Sequence, residues 1–157
     1  MMLQGEPTMD PKEWAASKAQ AIRTKREREA AESRARELAE KQRLAATPAL
    51  WDEFKARVQE RVNALNAALN ETALTIQTVN QSKISVTTPQ ETSITAELRR
   101  ERGDICCMLV SMSNDYQIRL VNGKASLMKG AGGNYSGIEI TPDGAAEEFL
   151  GSLIQFI

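Results

Sequence analysis

The strongest hydrophobic pattern in the chain lies between Pro48 and Leu69. Large apolar residues recur there every three or four positions, and charged residues lie mostly between them. This spacing is typical of an amphipathic helix that buries one face. The apolar stripe consists of Trp51, Phe54, Val58, Val62, Leu65 and Leu69.

Residues 10–46 predict a helix of a different kind. Asp10, followed by Pro11 and Glu13, favours a helix start. The segment is then rich in Ala, Arg, Glu and Lys, all good helix formers, with opposite charges often four positions apart. Large apolar residues are scarce, and no heptad phase gives a clean apolar seam. We expect a solvated helical arm; a packing arm for self-association and a nucleic-acid-binding segment remain open.

The pair Thr47-Pro48 predicts a break between these two helices. The residue before a proline disfavours helical geometry, whereas proline itself suits the first turn of a helix. The sequence therefore predicts a disordered tail at residues 1–9, a charged helical arm at 10–46 and an α+β domain at 47–157.

After Glu71 the hydrophobic period changes from 3.6 to 2, which indicates β-strands. Thr141-Pro142 then favours the start of a last amphipathic helix. The predicted fold class is α+β: a long N-terminal charged helix, an amphipathic helix, an antiparallel sheet of six or seven strands and a C-terminal amphipathic helix. The predicted strands are 72–79, 83–87, 92–99, 105–112, 116–121, 124–129 and 135–141.

The dipeptide Asn122-Gly123 gives the clearest local signal, because it favours a two-residue hairpin turn. Such a turn sets Leu120 opposite Ala125 and Ile118 opposite Leu127, so apolar residues meet on one face. This register is a prediction that the structure can test directly.

The residues before this hairpin suggest a second connection. We expect Ser113, Asn114 and Asp115 to form a three-residue loop. That loop would place Val110 near Ile118 and Met108 near Leu120.

Strand 105–112 is apolar on both faces, with Ile105, Cys107 and Leu109 on one of them. A strand with two apolar faces is covered on both. Helices on both sides, a curled sheet and a second chain would each supply the cover. The last option predicts a homo-oligomer with Cys107 and Leu109 as interface candidates. Trp14 is a third, because a large aromatic on a polar helix usually covers something.

Composition removes several kinds of chemistry. The 157 residues include no histidine and two cysteines, and the net charge is −1. One chain therefore cannot build a zinc site from four cysteines or from two cysteines and two histidines. The commonest general base is missing too. We expect no enzyme activity, no cofactor and no catalytic or metal-binding residues.

The two cysteines and the polarity of the chain indicate a compartment. Cys106 and Cys107 are adjacent, so in a strand they point to opposite faces, and we expect reduced thiols. The first seven residues have neither a basic run nor an apolar run, and no apolar stretch reaches the length of a membrane span. These features predict a cytoplasmic protein without a membrane span.

Two further segments could in principle bind an anion, but each is better explained as a loop or turn. The glycine-rich segment 130–137 joins two strands and is expected to be a hairpin loop rather than a phosphate-binding loop. Arg99, Arg100 and Arg102 could grip a phosphate or carboxylate, but acidic residues lie among them, which favours a solvated turn.

These observations predict a non-enzymatic protein-interaction or assembly module that self-associates; an unidentified protein partner is also open. The alternative is a small-ligand or lipid-binding domain with a pocket between Trp51, Phe54 and Phe149. Nucleic acid is not favoured as a partner. Residues 18–43 hold nine basic residues, but their five glutamates would repel phosphate and no aromatics are interleaved.

Overall fold

The computed structural model describes residues 8–109, 112–131 and 134–157. It has the predicted α+β architecture, and it divides into two compact units between Glu40 and Lys41. The elements are α1 (Pro11–Leu69), β1 (Thr75–Asn80), β2 (Lys83–Thr87), β3 (Ser93–Arg99), β4 (Asp104–Leu109), β5 (Met112–Val121), β6 (Lys124–Ala131), β7 (Asn134–Ile140) and α2 (Pro142–Ile154).

Helix α1 begins at Pro11, as predicted, but it runs without interruption through Pro48. The predicted break at this proline is therefore wrong. A proline inside a helix removes one backbone hydrogen bond and costs about 3 kcal/mol. Thr47 donates its hydroxyl to the Arg43 carbonyl at 2.8 Å, and Leu50 and Trp51 are buried directly after the proline. Burial of these side chains holds the segment helical despite the local preference.

The end of α1 is fixed by Asn66 and Asn70. Asn70 has a left-handed φ of 57°, which turns the chain out of the helix. The Asn66 side chain accepts hydrogen bonds from the backbone N–H groups of Ala73 and Leu74 at 2.9 and 3.0 Å. It also donates to the Leu74 carbonyl at 2.9 Å. These three hydrogen bonds of the Asn66 side-chain amide hold the segment that leads from α1 into β1.

Within the described residues, seven strands form one antiparallel sheet in sequence order, from β1 to β7. The β5–β6 hairpin has the predicted register, with Ile118 opposite Leu127 and Leu120 opposite Ala125. Asn122 and Gly123 both have positive φ, as a two-residue primed turn requires.

The connection between β4 and β5 differs from the prediction. Leu109 pairs with Met112 and Ile105 pairs with Tyr116, so residues 113–115 belong to β5 instead of forming a loop. The predicted proximity of Met108 and Leu120 is therefore wrong, because Met108 pairs with Ser113. Turn-forming side chains are tolerated in this strand because pairing with β4 outweighs their weak local preference. The predicted partner of Ile118, Val110, lies outside the described residues.

One hydrophobic core joins the sheet to residues of both helices. Phe54 of α1 and Phe149 of α2 meet edge to face, with ring centroids 5.7 Å apart. The sheet contributes the alternate residues that face the helices. In β2 to β6 these include Ile84, Val86, Ile94, Ala96, Leu98, Ile105, Cys107, Leu109, Tyr116, Ile118 and Leu127.

The turn between β3 and β4 lies directly against α1. Gly103 has a φ of 66°, and the Arg43 guanidinium lies so close to it that a Cβ atom would collide with the guanidinium nitrogen. The Gly103 carbonyl accepts a hydrogen bond from the Ile118 N–H at 2.8 Å. Glycine is favoured here by its backbone conformation, and a side chain would also displace the Arg43 guanidinium.

Candidate interaction surfaces

The predicted pocket aromatics are packed against one another in the core. Trp51, Phe54 and Phe149 are all buried, and the Trp51 and Phe54 rings stack at 5.8 Å. The Trp51 indole N–H donates to the Gln81 carbonyl at 2.9 Å, which satisfies its one polar group. These rings fill the space between helices and sheet, and we therefore treat them as structural.

The predicted interface residues of β4 are also in the core. Cys107 and Leu109 are 4% and 5% exposed and lie on the face that the helices cover. Burial raises the pKa of the Cys107 thiol well above its usual range. These two side chains are therefore not exposed for contact with a second chain.

The opposite face of β4 is only partly covered, by polar side chains of the neighbouring strands. Asp104 and Cys106 are buried there, whereas Met108 is half exposed. Arg99 forms a bidentate pair with Asp104, at 2.7 and 2.6 Å, and also reaches Asp115 at 3.2 Å. The sequence predicted that helices, a curled sheet or a second chain would cover both faces of this strand; on this face a polar network covers Asp104 and Cys106, and Met108 stays exposed.

The surroundings of Cys106 and Arg99 in this network raise the pKa values of both groups. Burial, followed by the neighbouring carboxylate of Asp115, raises the pKa of Cys106 to about 11. Hydrogen bonding to Asp104 raises the pKa of Arg99 further above its usual range. Cys106 is therefore a protonated, unreactive thiol at neutral pH. Arg99 is already bound by carboxylates, so the three neighbouring arginines do not act together as an anion site.

A second polar group joins the helix-facing side of the sheet to α2. The Tyr116 hydroxyl donates to Glu148 Oε1 at 2.9 Å, and Lys129 Nζ donates to Glu148 Oε2 at 2.5 Å. Tyr116 is almost fully buried, and this burial raises the pKa of its phenol above the usual range. Each group has a partner of suitable chemistry, so the arrangement is a structural link.

The sequence analysis missed the ion pairs between the two helices. Arg61 Nη2 lies 2.9 Å from Asp143 Oδ1 and 3.1 Å from Glu147 Oε1. Arg57 also reaches Asp143, at 3.5 Å. The sequence does contain a matching pattern: Arg57 and Arg61 are four positions apart in α1, and Asp143 and Glu147 are four positions apart in α2.

The first unit presents a helix without a buried face. We call residues 11–40 of α1 the exposed arm. Among the described residues of this unit, 8–40, none is buried. Trp14, Ile22 and Leu38 are 56%, 49% and 58% exposed. Lys25 and Glu29 form one of the expected pairs at four-residue spacing, at 3.9 Å. The exposed arm therefore presents three large apolar side chains, Trp14, Ile22 and Leu38, that the first unit does not bury.

The second unit presents the edge strand β1. This strand is hydrogen-bonded to β2 and is the first strand of the sheet order. Five of its six residues are exposed, and Ile76 is half-buried against the core. Its sequence, Thr-Ile-Gln-Thr-Val-Asn, has no charge and no proline.

Comparisons with known proteins give no family for this chain. No family model matches it, and neither the curated proteins nor the solved structures give a significant match. Within the described ranges, no group of three or more His, Cys, Asp or Glu side chains could hold a metal ion. No helix in the same ranges is long and apolar enough to cross a bilayer.

Proposed function

We propose that this protein is a non-enzymatic, cytoplasmic interaction module that self-associates. The observation that carries the proposal is the exposed arm, whose large apolar side chains have no cover in the first unit. The polar clusters of the second unit support the non-enzymatic part, since their charged groups bind one another in ion pairs and hydrogen bonds.

A partner helix would stabilise the arm. A helix that is polar on all sides depends on intrinsic propensity and on pairs at four-residue spacing, which add only about 0.2–0.5 kcal/mol each. Covering one large apolar side chain contributes about 1.5–3 kcal/mol. Covering even one of Trp14, Ile22 and Leu38 would therefore contribute more than any single one of these local pairs.

The charge distribution of the arm supports a second copy as that partner. Residues 18–28 hold five basic residues and one acidic residue, a net charge of +4. Residues 29–40 hold two basic and four acidic residues, a net charge of −2. Two arms side by side in antiparallel orientation bring the basic half of each against the acidic half of the other. A parallel arrangement would oppose like charges.

Sedimentation velocity on the full chain tests this proposal. We expect a dimer that dissociates at concentrations on the order of micromolar. The triple variant Trp14→Ala, Ile22→Ala, Leu38→Ala removes the exposed apolar groups and should weaken association at least about tenfold, a loss of about 1.4 kcal/mol.

A matched control changes three polar arm residues, Ser17→Ala, Thr24→Ala and Ser33→Ala, and should associate like the unmodified chain. Circular dichroism checks that both triple variants keep their helix. A wild-type chain that stays monomeric up to about 100 µM would overturn the proposal, as would equal effects of the two triple variants.

A further inference from the structure

We propose that the free edge of β1 pairs antiparallel with β1 of a second copy, so that the two sheets become one continuous sheet. The inference rests on the proposed self-association and names a contact in the second unit. The exposed arm has charge complementarity but no apolar seam, so it specifies register poorly. A strand edge specifies register through its backbone hydrogen bonds.

The chemistry of the edge defines its occupant as an extended strand. An edge strand presents a row of N–H and C=O groups that only another backbone can match along its length. Strand β1 lies at the end of the sheet order, beside β2 alone. Its exposed side chains leave this edge accessible.

The composition of β1 differs from that of every other strand. Natural proteins block strand edges with charged residues or proline. Each of β2 to β7 contains at least one charged residue. Strand β1 contains neither a charge nor a proline, although it is an edge strand. It therefore lacks the features that prevent edge pairing.

The sequence of β1 is compatible with pairing to itself. An antiparallel pair centred on Gln77 sets Ile76 opposite Thr78 of the partner subunit and keeps like faces together. Thr75 and Val79 are the next residues outward, and Val79 lies at the register irregularity between Thr78 and Asn80. The pairs that flank Gln77 consist of β-branched residues, which favour cross-strand packing, and no like charges meet. The β1–β2 register is regular from Thr75 to Thr78, which includes the centre of this arrangement.

The charges that flank β1 favour a second copy over an unrelated strand. Glu71 lies just before β1, and Lys83 begins β2 after the turn at its other end. Antiparallel pairing places the end of β1 that follows Glu71 in one copy beside the end that precedes Lys83 in the other. The twofold symmetry repeats this match at both ends of the interface.

A charge-exchange experiment at Gln77 tests the proposed register. Gln77→Lys and Gln77→Glu each place two like charges opposite one another at the twofold axis. Each variant should weaken dimerisation roughly fivefold or more in sedimentation velocity. An equimolar mixture of the two should form a heterodimer at least as stable as the wild-type dimer. Ser85→Lys is the matched control, because Ser85 pairs with Gln77 one strand further from the edge; it should dimerise like the wild type.

The outcomes separate this inference from the proposed role of the arm. A wild-type chain that stays monomeric would overturn both. If the Gln77 variants dimerise like the wild type, or if their mixture fails to restore association, the edge pairing is overturned. Loss of association in the triple arm variant would then still support the arm. The converse result, with Gln77 sensitive and the arm insensitive, would support the edge and overturn the arm.

Discussion

Replacement of Phe54 by alanine tests how the second unit is held together. Phe54 is fully buried and contacts rings on both helices, at 5.8 Å from Trp51 and 5.7 Å from Phe149. A buried Phe→Ala change costs about 3–5 kcal/mol from lost burial and the cavity left behind. Aromatic pairs add about 0.5–1.5 kcal/mol each to such a site. We expect a loss near the upper end, about 4–5 kcal/mol.

Urea denaturation followed by tryptophan fluorescence gives the assay. The chain has two tryptophans, and Trp14→Phe leaves Trp51 in the core as the single reporter. In that background Phe54→Ala should lower the unfolding midpoint strongly. In a thermal scan it should lower Tm by roughly 12–15 °C, at about 3 °C per kcal/mol for a chain of this size.

The control is the same substitution at an exposed phenylalanine. Phe156 is 45% exposed near the end of the chain, so Phe156→Ala should cost less than about 1 kcal/mol. If Phe54→Ala destabilises the protein no more than Phe156→Ala does, α1 does not pack on the sheet as described and the reasoning fails.

Three further predictions concern the turn after β3 and the polar face of β4. Gly103→Ala should destabilise the protein more than Gly123→Ala in urea denaturation. Both glycines have positive φ, but a Cβ at Gly123 would meet nothing within 4 Å, whereas at Gly103 it would displace the Arg43 guanidinium; equal losses would contradict this. Asp104→Asn should cost about 1–3 kcal/mol by the same assay, because it weakens a buried bidentate ion pair, and a loss below about 0.5 kcal/mol would contradict the pairing. Cys106 and Cys107 should resist alkylation by iodoacetamide at pH 8 in the folded protein and react after unfolding, because burial raises both pKa values; rapid labelling of the folded chain, measured by mass spectrometry, would refute this.

The parts of the fold that could be predicted from sequence are those specified by local chemistry. Asn122-Gly123 allows few turn geometries, and the alternating residues on either side confirm one register. The start of α2 follows equally from Thr141, whose hydroxyl accepts a hydrogen bond from the Gly144 N–H at 3.0 Å. In both places a side chain and its neighbours determine the backbone directly.

The sequence predictions were wrong where tertiary packing outweighs the local conformational preference of the residues. Pro48 lies within a helix because the residues after it are buried, and no local pattern reports that burial. Asp115 has a turn-forming side chain, yet it lies in β5, where it meets Arg99 from a strand two positions away. That contact depends on the order of strands in the sheet. It could not be inferred from residues 113–115 alone.

The candidate surfaces, too, could be predicted from the sequence only in part. The charge segregation of the exposed arm and the uncharged sequence of β1 can both be recognised in the sequence. The exposure of these two segments cannot be recognised in the sequence, because it depends on how the rest of the chain packs. The prediction for Cys107 and Leu109 illustrates this. A second chain was one of three predicted sources of cover for these residues, and both are buried beneath the chain's own helices.

The most direct test of the account is the mass of the full chain in solution across a range of concentrations. Sedimentation equilibrium from about 1 to 100 µM covers the affinities expected for an interface of this kind. The account predicts an average mass that rises with concentration towards twice the 17.3 kDa of one chain. A mass that stays at 17.3 kDa over the whole range would contradict self-association.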